Sequence, residues 1–252
     1  MKSEGALVPA WLLPLAAVLP DVHARDLTRF QAPRGSSPRA ASVLILFGDG
    51  GDAAATGGAE VGGDQGASLA QAPPGGHVLL LERAHGMRSH AGQVAFPGGA
   101  QDHDDADEVA AALREAQEET GLDPSGVQVL ATMSALWLPP SNFAVTPVVG
   151  WWQTPSPVYA VDPAETASVH LLGLEELLDP ANRVTMRHPS GHQGPAFLVG
   201  DLVVWGFTAG LLSRVFALVG WERPWDSSRC VDLPDDIAQS SLRDLDRQQV
   251  EP

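Results

Sequence analysis

The chain has 252 residues, 44% of them hydrophobic, and carries 31 acidic against 15 basic side chains, a net charge of −16 with histidine neutral. Such a length and composition fit a soluble globular protein of one large or two small domains, with enough apolar residues for a real core. The acid excess argues against nucleic acid or an anionic membrane surface as the main partner. It leaves an anionic small substrate open, because arginines or a bound cation can reverse the field inside a pocket.

In chain order, the first apolar stretch is PAWLLPLAAVLP, residues 9–20, which contains three prolines and is too short to span a bilayer. Glu4 and the lack of a small-x-small cleavage site argue against a secretory leader. A packed helix within an N-terminal extension, residues 1–36, is therefore expected. Residues 41–47 and 77–83 are short apolar runs that read as strands. The segment between them, residues 48–76, is rich in Gly, Ala and acid and lacks aromatics. It cannot bury enough apolar surface to offset its ordering entropy, so a disordered loop inserted between neighbouring strands is expected.

A glycine-rich loop, AHGMRSHAGQVAFPGGAQDHD, then leads into a helix. Asp105 is expected to cap it, with Glu108 completing a capping box. Val109, Ala112, Leu113 and Ala116 form one apolar stripe, and Gly121 suits the left-handed position that ends a helix. Further strands are expected at residues 127–135, 143–152 and 168–172, a short helix at 174–178 and a long apolar helix at 202–219. That last segment contains Arg214 and interior glycines and reads as a buried helix rather than a membrane span. A domain over residues 37–225 and a polar tail over 226–252 complete the expected organisation. The irregular alternation of strands and helices predicts an α/β (α+β) fold, a mixed sheet with helices on its faces. The single cysteine, Cys230, cannot form an internal disulfide and lies in the polar run SSRCVD, so no nucleophilic role is read there and a cytoplasmic location is expected.

The stretch REAQEETG, residues 114–121, holds an unusual charge pattern. Glu115, Glu118 and Glu119 stand three and four apart, on one helix face, where like charges cost roughly 0.2–0.5 kcal/mol per pair. In the last turn they also oppose the helix dipole by roughly 0.3–1 kcal/mol each. Taken alone, such a cluster is most often a solvated helix end. A divalent cation is the strongest counter-charge available to it, and Mg²⁺ and Mn²⁺ prefer hard oxygen ligands. Arg114 is placed to hold a carboxylate with its rigid donor fork. The Pro97, Gly98, Gly99 run lets backbone approach an ion or phosphate closely.

From the loop glycines to Leu122 the chain resembles the Nudix hydrolase signature: Gly, five residues, Glu, seven residues, then Arg-Glu-apolar-x-Glu-Glu-x-Gly-apolar. The second half is complete as REAQEETGL. In the first half Ala106 stands where the glutamate is expected and Ala100 where the glycine is, with Gly99 one residue earlier. That lengthening resembles the coenzyme A pyrophosphatase branch, which also has an upstream motif. Here that motif reads LLLERAHGMRSHAGQVAFPGG, with Arg83, Ala84, Arg88, Gly92, Phe96, Pro97, Gly98 and Gly99 in register and Leu81 in place of a threonine. The wider resemblance runs over about residues 41–225, through SNFAVTPVVG and VVWGFTAGLL.

The resemblance implies an α/β/α sandwich with a mixed sheet and Mg²⁺ or Mn²⁺ held by Glu115, Glu118 and Glu119, with the Gly99 carbonyl as a further ligand. Catalysis would rest on Glu115, which orients or deprotonates water, on Arg114, which holds Glu115, and on Glu118. Arg83 and Arg88 would bind the substrate phosphates. Asp105 or Asp107 would replace the displaced glutamate, unless Asp105 only caps the helix. His85 and His90 read as polar loop residues, and His188 and His192 lie in a Gly/Pro loop without other ligands. Glu165 is a candidate late acidic ligand. Trp151, Trp152 and Trp205 read as core residues. The implied reaction is hydrolysis of coenzyme A or acyl-coenzyme A to adenosine 3′,5′-bisphosphate and 4′-phosphopantetheine. NADH, ADP-ribose or a nucleoside triphosphate as substrate, or a catalytically silent nucleotide-binding module, are the alternatives. No nucleic-acid or membrane partner is expected, and a homodimer remains open.

Overall fold

The structure, a computed structural model, describes residues 7–50, 75–87, 90–139 and 141–250, with side chains described as far as residue 243. The insert expected at residues 48–76 therefore falls almost wholly outside the described residues, as does Arg88. Short helical turns open the chain, with α1 at Leu13–Val18 and α2 at Ala24–Leu27. Strands β1 (Arg39–Gly48), β2 (His77–Arg83), β3 (Val94–Ala95) and β4 (Gly98–Ala100) precede the long helix α3 (Glu108–Thr120). β5 (Val127–Thr132), β6 (Leu136–Leu138), β7 (Phe143–Trp152), β8 (Thr166–Gly173) and α4 (Leu174–Leu178) follow. β9 (Arg183–Arg187), β10 (Gln193–Val199), β11 (Leu202–Val204), α5 (Gly206–Leu218), β12 (Cys230–Asp232) and α6 (Asp235–Val250) complete the order.

The first sheet runs β3-β2-β1-β7-β5, with β4 added to β1, β6 to β7 and β8 to β2. β1 and β7 are parallel over their whole length, from Arg39 beside Phe143 to Phe47 beside Trp151, and the other pairings are antiparallel. The sheet is mixed, as the alternation of elements predicts. A second sheet runs β11-β10-β9-β12.

Strand periodicity sends alternate residues to opposite faces. From β1, Leu44 and Leu46 point to the side where Ala112 and Ala116 of α3 pack, together with Leu79, Val148 and Trp152. Ile45 and Phe47 point to the other side and meet Leu12, Leu15 and Leu19 of the N-terminal segment, Leu174 and Leu177 of α4, and Leu212, Val215 and Phe216 of α5. Helices thus cover both faces, giving an α/β/α arrangement. Burying each large apolar side chain contributes about 1.5–3 kcal/mol, so the face built from Leu44, Leu46, Leu79, Val148 and Trp152 helps to hold α3 in place. Among the described residues no helix is long and apolar enough to cross a membrane.

Two expectations need correction. Residues 202–204 are strand β11, not the start of a long helix, and the helix begins only at Gly206. Leu202, Val203 and Val204 pair in register with Val199, Leu198 and Phe197, so sheet pairing claims the first apolar residues of the run. Asp105 does not cap α3. Asp107 does, its carboxylate accepting from the Ala110 N–H at 2.8 Å. Beyond Trp225, the polar segment carries β12 and α6, anchored by buried Leu233 and Ala238.

Candidate active site

Helix α3 ends at Gly121, whose φ of 70° is the left-handed conformation open to glycine at little cost. Its last two turns face β4, which pairs with β1 through Gly98 opposite Val43 and Gly99 opposite Ser42. A side chain at Gly98 would collide with the Ser42 carbonyl oxygen and with Val43, and one at Gly99 would lie 2.6 Å from the Glu115 carboxyl. Gly98 therefore lets β4 pair closely with β1, and Gly99 lets it lie directly against the Glu115 carboxylate of α3.

Arg114 organises the arrangement. Its Nη1 donates to Glu115 Oε1 at 3.0 Å and to Glu118 Oε2 at 2.9 Å. Its Nε and Nη2 donate to the two oxygens of Asp105 at 3.0 and 2.9 Å, a bidentate pair, and Nη2 also reaches the Ala100 carbonyl at 3.1 Å. The Asp105 carboxylate is only 6% exposed and accepts a further bond from the Asp102 N–H at 2.8 Å. The Arg114 hydrogen bonds hold the Asp105 carboxyl below the usual carboxylate range, and Asp105 in turn raises the arginine further above its already high value.

The three glutamates differ in environment. Glu118 is largely exposed, at 59%. Glu115 is 18% exposed, and burial pushes its carboxyl up against the opposing pull of Arg114. Glu119 is 10% exposed and accepts from the Gly98 N–H at 2.9 Å, with Arg83 Nη1 at 3.7 Å. Burial raises its pKa to about 7, opposed by the Gly98 bond and Arg83 and reinforced by the negative charges of Glu115 and Glu165. Desolvation penalises the charged form of a carboxyl in this way whenever its partners are too few.

The sequence-derived residues thus separate. Glu115, Glu118, Glu119, Arg114, Arg83 and Gly99 come together at the α3–β4 junction. The charge of Glu165 bears on Glu119, and its backbone carbonyl accepts from the Ala84 N–H at 2.9 Å. His85 is mostly exposed, with Nε2 3.2 Å from Glu82. His188 and His192 sit apart, in the β9–β10 turn, with the His188 N–H bonded to the His192 carbonyl. Trp151 and Trp152 are core residues, whereas Trp205 is half-buried and stacks on His188 at 5.7 Å between ring centroids. The residue that sequence reasoning misplaced is Asp105. Its signal was an acid nine residues before Arg114, within reach of a long guanidinium across the start of the helix.

The donor set suits a hard divalent cation in kind, since every group is a carboxylate or carbonyl oxygen. Two of the three carboxylates, Glu115 and Glu119, also suit it in position. Both are held off solvent against the glycine strand, and burial raises both carboxyls, opposed at Glu115 by Arg114 and at Glu119 by the Gly98 N–H and Arg83. Among the described residues no three His, Cys, Asp or Glu side chains form a closed ligand group. Glu118 shares Arg114 Nη1 with Glu115 and is the most exposed of the three.

The NUDIX domain family matches residues 65–190, half of the chain. An uncharacterized Nudix hydrolase NudL from Citrobacter koseri is 40% identical over 161 residues, covering 60% of this chain and 78% of that protein. One from Cronobacter sakazakii is 40% identical over 158 residues, covering 58% and 77%. A NUDIX hydrolase structure from Nitrosomonas europaea is 13% identical, with a TM-score of 0.44, covering 81% of this chain and 84% of that one. The class is therefore that of hydrolases acting on phosphorus-containing acid anhydrides. The chain belongs to the Nudix hydrolase family.

Proposed function

We propose that the chain is a metal-dependent diphosphatase of coenzyme A or acyl-coenzyme A, releasing adenosine 3′,5′-bisphosphate and 4′-phosphopantetheine or its acyl form. The observation that carries this reading is the joining of two motifs. The upstream LLLERAHGMRSHAGQVAFPGG run abuts the α3 glutamates, and its Arg83 lies 3.7 Å from Glu119. A diphosphate bearing a further 3′-phosphate calls for cations beside an acidic site; Arg83 supplies one, and Arg88, five residues on in the same sequence motif, is the second candidate.

Glu115, Glu118 and Glu119, with the Gly99 carbonyl, are the groups that would hold Mg²⁺ or Mn²⁺. Bound there, the cation supplies neutralisation of the diphosphate charge and a more acidic water. The chain's own residues do the rest. Glu115, its basicity raised by burial, takes the proton of the attacking water as one P–O bond forms and the bridging P–O bond breaks, its electron pair leaving with the departing phosphate. Arg114 fixes the orientation of Glu115 and Glu118. Asp105 fixes Arg114, the work of the acidic residue missing at Ala106.

Substituting Arg114 by Lys keeps one charge but loses the fork that reaches Asp105, Glu115 and Glu118 together. Steady-state kinetics are expected to show a kcat about 10–100-fold lower, the usual cost of losing a group that orients metal ligands. Unchanged kcat would remove the positioning role. The substrate reading is tested with Mn²⁺ and a panel of coenzyme A, dephospho-coenzyme A, NADH and ADP-ribose. Adenosine 3′,5′-bisphosphate should appear from coenzyme A, with kcat/KM at least about tenfold above the dephospho form, because a lost charge partner is strongly discriminated. NADH or ADP-ribose cleaved faster than coenzyme A overturns the assignment.

A further inference from the structure

Away from α3, a cavity of about 810 Å³ lies among the N-terminal segment, β6, the second sheet and α5. It is within the size range of small-molecule sites, roughly 300–1,000 Å³. Leu27, Leu136, Leu138, Phe207 and Leu211 give it a mainly apolar wall. Its rim is joined to the candidate active site by one loop. His90 and Gln93 border the cavity, and the Arg83 N–H donates to the Gln93 carbonyl while the Gly92 N–H donates to the Arg83 carbonyl, both at 3.0 Å. Arg83 in turn faces Glu119.

Two features say what the cavity suits. The first is charge. In a chain of −16, the charged side chains at the cavity among the described residues, besides its histidines, are Arg29, Arg214 and Glu222. Glu222 is already engaged by buried Arg183 at 3.3 Å and by Trp225 Nε1 at 3.2 Å. The rim is therefore locally cationic, which draws in a polyanionic ligand. The second is Gly210. It lies within α5 on the stripe of Phe207, Leu211 and Arg214 that borders the cavity, and a Cβ there would meet nothing within 4 Å. Glycine inside a helix is destabilising relative to alanine, and no neighbour requires it at this position. The space it leaves opens onto the cavity.

We propose that this cavity receives the apolar acyl arm of an acyl-coenzyme A substrate, and that Gly210 sets the room available to that arm. The proposal rests on the coenzyme A diphosphatase reading. A polyanion with an apolar tail matches a cationic rim over an apolar wall, and the loop carrying Arg83 and Gln93 links the two ends of such a molecule.

The test compares coenzyme A with octanoyl-coenzyme A on the parent chain, Gly210→Ala and Gly210→Phe. Octanoyl-coenzyme A should be cleaved with a kcat/KM at least about tenfold above coenzyme A, since even single methylenes in an apolar site are worth about tenfold or more. Gly210→Phe should remove that advantage and leave coenzyme A within about twofold, while Gly210→Ala keeps most of it. Equal use of both substrates by the parent chain, or an equal loss on both with Gly210→Phe, overturns the proposal. Calorimetric binding of octanoyl-4′-phosphopantetheine, which requires no hydrolysis, separates the two readings. Binding that is lost in Gly210→Phe, without any cleavage of coenzyme A, sinks the diphosphatase reading and keeps the cavity. Cleavage of coenzyme A with no such binding sinks the cavity alone.

Discussion

Glu119→Gln is expected to lower kcat by about 10³-fold, because metal-ion charge stabilisation is worth several kcal/mol and each 1.36 kcal/mol is a decade in rate. The same change should leave the metal-free protein at least as stable as the parent above pH 7. Both halves follow from one environment. Glu119 is 10% exposed, and one backbone N–H and an arginine at 3.7 Å do not compensate its charge. A glutamine keeps the acceptor for the Gly98 N–H and removes the uncompensated charge. An ordinary structural carboxylate behaves in the opposite way, since neutralising it loses stability. Paired kinetics and thermal melts at pH 8 decide the matter. Retained turnover removes Glu119 from the metal site, and a clear loss of Tm shows that its charge is structural.

How much of this was legible from the residues varies along the chain. The strands that build the first sheet carry long apolar or alternating runs, and residues 77–83 and 143–152 fold with the expected limits as β2 and β7. Helix α3 declares itself by its stripe and by Gly121. The second sheet does not, because β9 and β10 are short, mix Arg, Thr, Gln and Pro with their apolar residues, and meet at a turn of His, Pro, Ser and Gly. Their strand character comes from pairing with each other. At the site, the run DHDDAD offers Asp105 and Asp107 as rival caps, and no local rule separates them. The choice is made by Arg114, which binds Asp105 from the second turn of the helix and leaves Asp107 to the cap. The cavity beside α5 was illegible for a similar reason, since its walls come from segments far apart in sequence.

Burial of Glu119 also predicts how stability and metal binding depend on pH. Its folded-state pKa, about 7, lies above the ordinary 4.5, so the folded chain binds more protons between those values than the unfolded chain does. The stability this contributes is fully present below about pH 4.5 and is lost as pH rises through about 7, with an upper size of about 3 kcal/mol. Glu115, also raised by burial, acts in the same direction. His77, His170 and His188 are lowered by burial and act in the opposite direction below their ordinary 6.5, so the raw profile mixes both trends. The difference in Tm between the parent and Glu119→Gln isolates the carboxylate, because the histidines are common to both. That difference should favour Gln increasingly from pH 5 to 8. A divalent cation binds the ionised carboxylate and competes with the proton, so added Mg²⁺ should raise the parent's Tm at pH 8 and little at pH 5. At a hundred times its Kd, the ion adds about 2.7 kcal/mol of stability. Gln at position 119 should abolish most of the pH 8 shift. An Mg²⁺ shift of equal size at both pH values, or one that survives the substitution, would mean that the ion binds elsewhere on this acidic chain.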